Sequence, residues 1–116
     1  MRTMILSVAV ASAIVHAPAA QPVIQRGPNE AEIEVAGECR RLGGQPHFLT
    51  GWRSQTDVNG DGRPDVILNY VHADCEGTPP LYCGTAGCLT QFWLATDEGY
   101  RLIFSANVRD WSITRS

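Results

Sequence analysis

The 116-residue sequence contains no lysine, so all nine of its basic residues are arginine. Twelve acidic residues outnumber them, and the formal net charge at pH 7 is −3. A chain with this charge has little electrostatic attraction for nucleic acid or for an anionic membrane surface. We therefore expect no nucleic-acid partner.

The sequence also lacks an apolar run of the roughly 20 residues that a membrane-spanning helix needs. Its longest apolar run, "MILSVAVASAIV" at residues 4–15, follows the positively charged Arg2 and precedes the small residues Ala17-Pro18-Ala19. These features are typical of a secretory signal peptide that is cleaved after Ala19. The alternative is a buried amino-terminal helix, which would have no polar face. We expect a signal peptide at residues 1–19 and no membrane span.

Cleavage after residue 19 would leave 97 of the 116 residues, with eight arginines against twelve acidic residues and a net charge of about −4. This length suits one small domain. No cysteine directly follows the apolar run, so a lipoprotein anchor is not indicated. We expect a periplasmic or secreted protein with an extended arm at residues 20–28 and a single α+β domain at residues 29–116.

Four cysteines, all in the expected exported part, indicate two disulfides. Cys83 and Cys88 enclose the short flexible stretch "GTAG", which can bring them to bridging distance and can also form an anion-binding backbone nest. The remaining pair is Cys39 and Cys75. A zinc site built from the four thiolates is the alternative, but the spacing contains no C-x2-C pair.

The pattern predicts one helix followed by strands. Asn29 is a candidate N-cap, apolar residues at helical spacing form one face through residues 31–42, and Gly43-Gly44 marks the end of the helix. β-Branched and aromatic runs separated by turn residues then predict strands at residues 47–56, 65–73, 88–96, 100–108 and 111–114. Residues 97–99, "DEG", predict a hairpin turn, and Ile103 interrupts the alternation of the following strand. The expected fold class is α+β: one N-terminal helix packed on a small antiparallel β-meander, stabilised by disulfides.

The stretch "DVNGDGRPD" at residues 57–65 places oxygen-bearing side chains at loop positions 1, 3, 5 and 9, with Gly62 at position 6. Calcium takes six to eight oxygen ligands, and alternate residues of a curled loop can direct several of them inward. The loop is not an EF-hand, because position 12 is Leu68 rather than glutamate and no helix flanks it. A hairpin turn built from Asn-Gly and Asp-Gly is the simpler alternative.

D-x-N-x-D-G-x-x-D between two strands resembles the calcium loops of FG-GAP/VCBS-type β-propeller repeats. The resemblance covers about twelve residues, and the single loop in a chain of this length excludes a propeller. It implies a Ca²⁺ held by Asp57, Asn59, Asp61, Asp65 and the backbone carbonyl of Arg63. We expect weak binding, because only three carboxylates contribute, and a structural role, because no nucleophile or base is evident beside the loop. The longer stretch "DVNGDGRPDVILNY…CEG…LYCGTAGC" resembles small secreted bacterial proteins, which implies a compartment and no activity.

The remaining polar and aromatic candidates do not form a catalytic set. His47 and His72 fit strand positions, and Asp74 with Glu76 flank Cys75 either as an acid/base pair or as two solvated carboxylates. The three tryptophans are expected in the core rather than in a platform for glycan or peptide.

Two functions fit these observations. The first is an exported, non-enzymatic, calcium-stabilised module that binds a protein or glycan in the cell envelope through a strand edge or an aromatic face. The second is a small secreted inhibitor of an envelope hydrolase, with the disulfide loop at residues 83–88 as a rigid insert.

The exported protein should begin at Ala20 and contain no free thiol. Intact-mass measurement should show the loss of residues 1–19 and of four hydrogens, two for each disulfide. A native thiol that reacts with Ellman's reagent would contradict the assignment of two disulfides.

Overall fold

The computed structural model describes residues 27–114. The predicted signal peptide and residues 20–26 of the predicted arm lie outside this range. The helix and strands are α1 (Pro28–Arg41), β1 (Gln45–Phe48), β2 (Arg53–Thr56), β3 (Asp65–Asn69), a 3-10 helix (Tyr70–His72), β4 (Ala73–Glu76), β5 (Cys83–Gly84), β6 (Gly87–Thr96) and β7 (Gly99–Val108).

Helix α1 begins two residues earlier than the pattern predicts, because Gly27 rather than Asn29 is the N-cap and Pro28 is the first helical residue. Proline suits this position, since its fixed φ is helical and the missing N–H would be unpaired there. The Glu30 Oε2 atom accepts the Gly27 N–H at 2.9 Å. The predicted N-cap, Asn29, instead accepts a hydrogen bond from the Arg53 guanidinium.

The carboxyl end of α1 follows the prediction. Gly43 has a φ of +84°, which favours glycine, and its N–H bonds the Arg40 carbonyl at 2.9 Å. Gly44 packs against the Cys39–Cys75 disulfide: a Cβ atom there would lie 2.4 Å from the Cys75 Sγ. The second glycine is therefore required by a close approach rather than by its φ.

The strands form two antiparallel sheets. One contains β1 and β4, and the other has the order β2-β3-β6-β5, with β7 on the opposite edge of β6. The expected simple meander is therefore wrong, because β3 pairs with β6 rather than with the next strand, and β4 between them pairs with β1 in the smaller sheet. Within residues 27–114, one α-helix, antiparallel sheets and two disulfides agree with the predicted α+β class.

Three predicted strands differ from those observed. A turn at Gly51, whose φ is +94°, divides residues 47–56 into β1 and β2. The 3-10 helix divides residues 65–73, and residues 111–114 form no strand. Trp111 packs instead against Phe92 at 5.4 Å between ring centroids, and its indole N–H bonds the Asn69 Oδ1 at 2.9 Å.

Ile103 interrupts the predicted alternation because it lies at a β-bulge. Trp93 pairs with Leu102 while Phe92 pairs with Phe104, so Ile103 is the extra residue between them. Leu102, Ile103 and Phe104 are 41%, 47% and 38% exposed. The strand β7 thus carries three consecutive exposed apolar residues.

The core lies between α1 and the larger sheet. Helix residues Ala31 and Val35 pack against β3 and β6, and the buried cluster consists of Ala31, Val35, Trp52, Val66, Leu68, Tyr70 and Trp93. Trp52 and Trp93 are only 3% and 5% exposed, as expected for core aromatics. The predicted helix face ends at Cys39, since Leu42 is the C-cap and is exposed.

Both disulfides have the predicted pairing. Cys39 in α1 is bonded to Cys75 in β4, with their Cα atoms 5.7 Å apart. Cys83 in β5 is bonded to Cys88, which lies directly opposite it in β6. The first disulfide therefore connects the helix to the smaller sheet, and the second closes a turn of the larger sheet.

Removal of the Cys39–Cys75 disulfide should destabilise the protein more than removal of Cys83–Cys88. The sequence separations are 36 and 5 residues, and a longer closed loop restricts the unfolded chain more strongly. Chain-entropy arguments give a difference of about 1.5 kcal/mol in the free energy of unfolding. Urea unfolding of the paired alanine variants C39A/C75A and C83A/C88A measures it, and an equal or opposite order would contradict this account.

Candidate metal centre

The loop of residues 57–64 connects β2 to β3, and its ends are fixed by the pairing of Thr56 with Asp65. Asp65 is both the last residue of the predicted pattern and the first residue of β3. The loop therefore closes on itself at the edge of the larger sheet. This closure brings loop positions 1 and 9 together.

Three of the predicted ligands form a cluster. One carboxylate oxygen from each of Asp57, Asp61 and Asp65 lies within 4.8 Å of the others, a group that can hold a metal ion. Their exposure differs: Asp65 is 1% exposed, Asp57 is partly exposed and Asp61 is exposed. The sequence pattern thus identified residues that the fold brings to one point.

The Asp57 carboxylate shapes the loop through backbone hydrogen bonds. Its Oδ2 accepts the Gly62 N–H at 2.8 Å, and its Oδ1 accepts the Gly60 N–H at 2.8 Å and the Asn59 and Asp61 N–H groups at 3.3 Å. These donors, the Gly62 N–H foremost, lower the pKa of Asp57 from its usual value near 3.8. The loop is therefore curled around a carboxylate that stays ionised into acid solution.

Glycine is required at two positions of this curl. Gly62 at position 6 has a φ of +82°, and Gly60 at position 4 has a φ of +79°. Both values lie in the left-handed region that side-chain-bearing residues rarely adopt. The sharp turn predicted at Gly62 is confirmed, and a second one occurs at Gly60.

Asp65 fixes the loop to the sheet. Its Oδ2 accepts the Val58 N–H at 2.9 Å and its Oδ1 accepts the Ala95 N–H at 2.7 Å. Val58 belongs to the loop and Ala95 to the end of β6. One buried carboxylate therefore joins the loop, β3 and β6.

Asn59 and Asp61 contact each other on the exposed side of the loop. The Asn59 Nδ2 donates to the Asp61 Oδ2 and the Asp61 N–H donates to the Asn59 Oδ1, both at 3.3 Å. The Asp61 Oδ1 also accepts the Arg63 N–H at 2.9 Å. The two contacts between Asn59 and Asp61 are long for hydrogen bonds and lie on the exposed side of the loop, so these side chains can adjust to an ion.

The Arg63 side chain contacts a residue that the sequence pattern did not include. Its guanidinium forms an ion pair with Asp97 in the turn between β6 and β7. No local sequence signal indicates this pair, since the residues are 34 positions apart and meet only because β3 pairs with β6. Asp97 is therefore a neighbour of the loop in space.

The cluster offers hard oxygen ligands that still have bonding capacity. A carboxylate oxygen has two lone pairs, and each oxygen of Asp61 and Asp65 accepts one hydrogen bond within residues 27–114. Carboxylate and carbonyl oxygens suit calcium, magnesium and manganese rather than soft metals. The geometry is thus compatible with a divalent cation and does not identify it.

The other polar candidates lie apart from the loop. His47 Nε2 is 2.9 Å from Glu76 Oε2 in the smaller sheet, on a solvent-exposed surface. Asp74 is exposed in β4. His72 lies close to Gly51, where a Cβ atom would be 3.0 Å from the imidazole ring. The pairing of Glu76 with His47 favours a surface contact over an acid/base pair with Asp74.

A cavity of about 170 Å³ between α1 and the larger sheet is lined in part by Tyr70 and Trp93. The hydrogen-bond donors of both side chains are already used within the protein. The Tyr70 hydroxyl and the Trp93 indole N–H both donate to the Gln91 Oε1, at 2.9 and 3.2 Å. Burial raises the pKa of Tyr70 to about 12, so the phenol remains a donor at neutral pH. These aromatic residues therefore support the core.

Comparison with protein-family models, with curated proteins and with solved structures returns no match to this chain. The two disulfides indicate an oxidising compartment outside the cytoplasm. Within residues 27–114, α1 is too short and too polar to be a candidate membrane span.

Replacement of Asp57 by asparagine should destabilise the metal-free protein at pH 6, because an amide nitrogen cannot accept the Gly62 N–H. The lowered pKa of Asp57 means that its stabilisation is fully present above the unfolded value near 4 and is lost as the pH falls through the folded value. The difference between wild type and Asp57→Asn should therefore shrink on acidification. Urea unfolding in EDTA between about pH 2 and pH 6 tests this.

The matched control is Asp74→Asn, which makes the same change on an exposed strand position. It should leave the free energy of unfolding near that of wild type at pH 6. A pH-independent effect of Asp57→Asn, or an equal effect at position 74, would contradict the assigned role of the Asp57 carboxylate.

Proposed function

We propose that the protein is an exported, non-enzymatic, calcium-stabilised binding module of the cell envelope. The observation that supports this proposal is the convergence of Asp57, Asp61 and Asp65 in a curled loop between two strands. The disulfides and the predicted signal peptide favour a periplasmic or secreted location. The predicted ligand set also includes Asn59 and the Arg63 carbonyl.

Calcium is the ion that the loop favours. It accepts six to eight oxygen ligands in flexible geometry, whereas magnesium requires a near-ideal octahedron and keeps several waters. A nine-residue loop with mixed carboxylate, amide and carbonyl oxygens meets the first requirement more readily. With three carboxylates, a dissociation constant of about 10⁻⁴–10⁻³ M is expected, as in other extracellular modules.

The role of the cation is structural. Asp65 begins β3, and the next three residues of that strand, Val66–Leu68, are 0% exposed. An ion bound at Asp65 would therefore stabilise the junction between the loop and the centre of the larger sheet. Because the ion binds only the folded loop, it would raise the free energy of unfolding by an amount that grows with the logarithm of one plus the ratio of its free concentration to its dissociation constant.

The surface that we assign to a protein partner is β7. Its only pairing within the described range is with β6, so its outer N–H and C=O groups are available to an added strand. Leu102, Ile103 and Phe104 supply exposed apolar contacts on this strand. An extended polypeptide segment of an envelope protein suits this edge better than a glycan does.

The second candidate function is inhibition of an envelope hydrolase through residues 83–88. The turn at Thr85-Ala86 is exposed and braced: Cys83 is bonded to Cys88, and the Arg109 guanidinium donates to the Thr85 carbonyl at 2.8 Å. A preorganised loop loses little entropy on insertion into an active site. Inhibition that survives EDTA but not C83A/C88A would favour this function over calcium-dependent binding of a partner.

Calcium should bind the wild-type protein and raise its melting temperature. Millimolar calcium over a sub-millimolar dissociation constant stabilises the folded state by about 1–2 kcal/mol, which corresponds to roughly 4–15 °C for a domain of this size. Titration calorimetry on EDTA-stripped protein and thermal unfolding measure the two quantities. Magnesium should produce a much smaller shift.

Asp61→Ala is the most informative variant, because Asp61 is exposed and does not join the loop to the sheet, unlike Asp65. It should abolish the calcium-dependent rise and leave the EDTA melting temperature nearly unchanged, whereas the control Asp74→Ala should retain the rise. Absence of both heat and thermal shift in the wild type at about 5 mM calcium, well above the expected dissociation constant, would reject the calcium proposal.

A further inference from the structure

Arg63 places a positive charge inside the candidate cation loop. It lies two residues from both Asp61 and Asp65, and its own carbonyl is a predicted ligand. A guanidinium near the three carboxylates would compete with a bound cation for them and would repel it. The direction in which this side chain extends therefore affects the affinity of the loop.

The guanidinium is directed to Asp97. This residue follows β6, and the hydrogen bond from the Ala95 N–H to the Asp65 Oδ1 holds the end of that strand against the loop. The Arg63–Asp97 ion pair is exposed, with side chains 45% and 85% accessible. Such exposed pairs contribute little to folding stability, so the main consequence of this pair is the position at which it holds the guanidinium.

We propose that Asp97 is a positioning residue of the cation loop: it holds the Arg63 guanidinium at the β6–β7 turn, away from the loop carboxylates, and thereby sets the affinity for a divalent cation. This inference rests on the proposed calcium site. It assigns Asp97 an indirect role through Arg63, rather than a role as a ligand.

The expected size of the effect follows from Coulomb's law. In a water-like dielectric, a unit charge that moves from about 10 Å to about 5 Å from a divalent ion weakens its binding about three- to fivefold at low ionic strength. Salt reduces this effect, because charges separated by about a Debye length are screened. The coupling is reciprocal, so a bound cation also strengthens the Arg63–Asp97 pair.

Glu98 provides a matched control within the same turn. It carries the same charge one residue further along, and its backbone N–H bonds the Thr96 Oγ1 at 3.2 Å. Within residues 27–114, the Arg63 guanidinium forms its ion pair with Asp97 and not with the Glu98 carboxylate. Glu98→Gln therefore removes a nearby negative charge without releasing the guanidinium.

The test is calcium titration calorimetry on the exported protein after EDTA treatment, at low and at physiological salt. Asp97→Asn should weaken calcium binding about three- to fivefold at low salt, and Glu98→Gln should weaken it less than about twofold. Arg63→Gln should bind calcium as tightly as wild type or more tightly. In the Arg63→Gln background, Asp97→Asn should then have an effect of less than about twofold, because no guanidinium remains to be released.

The outcomes separate the inference from the proposed function. Wild-type protein that binds no calcium rejects both. Wild-type binding with equal affinity in Asp97→Asn, or an equal loss from Asp97→Asn with and without Arg63, rejects the positioning role and leaves the calcium site in place. Melting temperatures in EDTA show whether each variant is folded, and retained or increased calcium affinity in Arg63→Gln is a readout that misfolding would not produce.

Discussion

The Asp65 carboxylate is the contact on which the loop and the larger sheet both depend. It is 1% exposed and accepts N–H groups from Val58 and from Ala95, so it joins a loop residue to the end of β6. A buried carboxylate is tolerated only when its oxygens are bonded, because its desolvation is costly. Both of its bonded partners are neutral, so they satisfy the oxygens without supplying positive charge. A cation in the loop would supply that charge.

The Asp65 carboxylate also joins the loop to the β6–β7 hairpin. The Ala95 N–H bond places the turn of the hairpin beside the loop, and Arg63 can then reach Asp97. The two contacts differ in kind. The bond to Asp65 is buried and fixes geometry, whereas the exposed ion pair changes the local field more than the stability. A cation bound at the loop would thereby be linked to the strand pair that carries the exposed apolar residues of β7.

Sequence patterns were informative where the structure is determined locally. The clustering of the three loop aspartates, the glycine at the end of α1 and the short disulfide turn depend on neighbouring residues, and the structure shows all three. Strand pairing depends on distant residues, so the β3–β6 pair and the separate β1–β4 sheet were not predictable from local patterns. Ile103 gave a partial signal, since its break in alternation marks the bulge. Asp97 gave none, because its role exists only once β3 and β6 are paired.

The disulfides and the aspartate loop connect different parts of a domain with a small core. Cys39–Cys75 ties α1 to the smaller sheet, Cys83–Cys88 closes the β5–β6 turn, and the aspartate loop joins β2 to β3. Small exported domains commonly need such additions, because their cores bury little apolar surface. The disulfides persist in an oxidising compartment, whereas the stabilisation from a bound ion would depend on the free concentration of that ion. An ion bound at the proposed site would therefore stabilise the loop and the hairpin, whereas the Cys39–Cys75 disulfide holds the helix and the smaller sheet together.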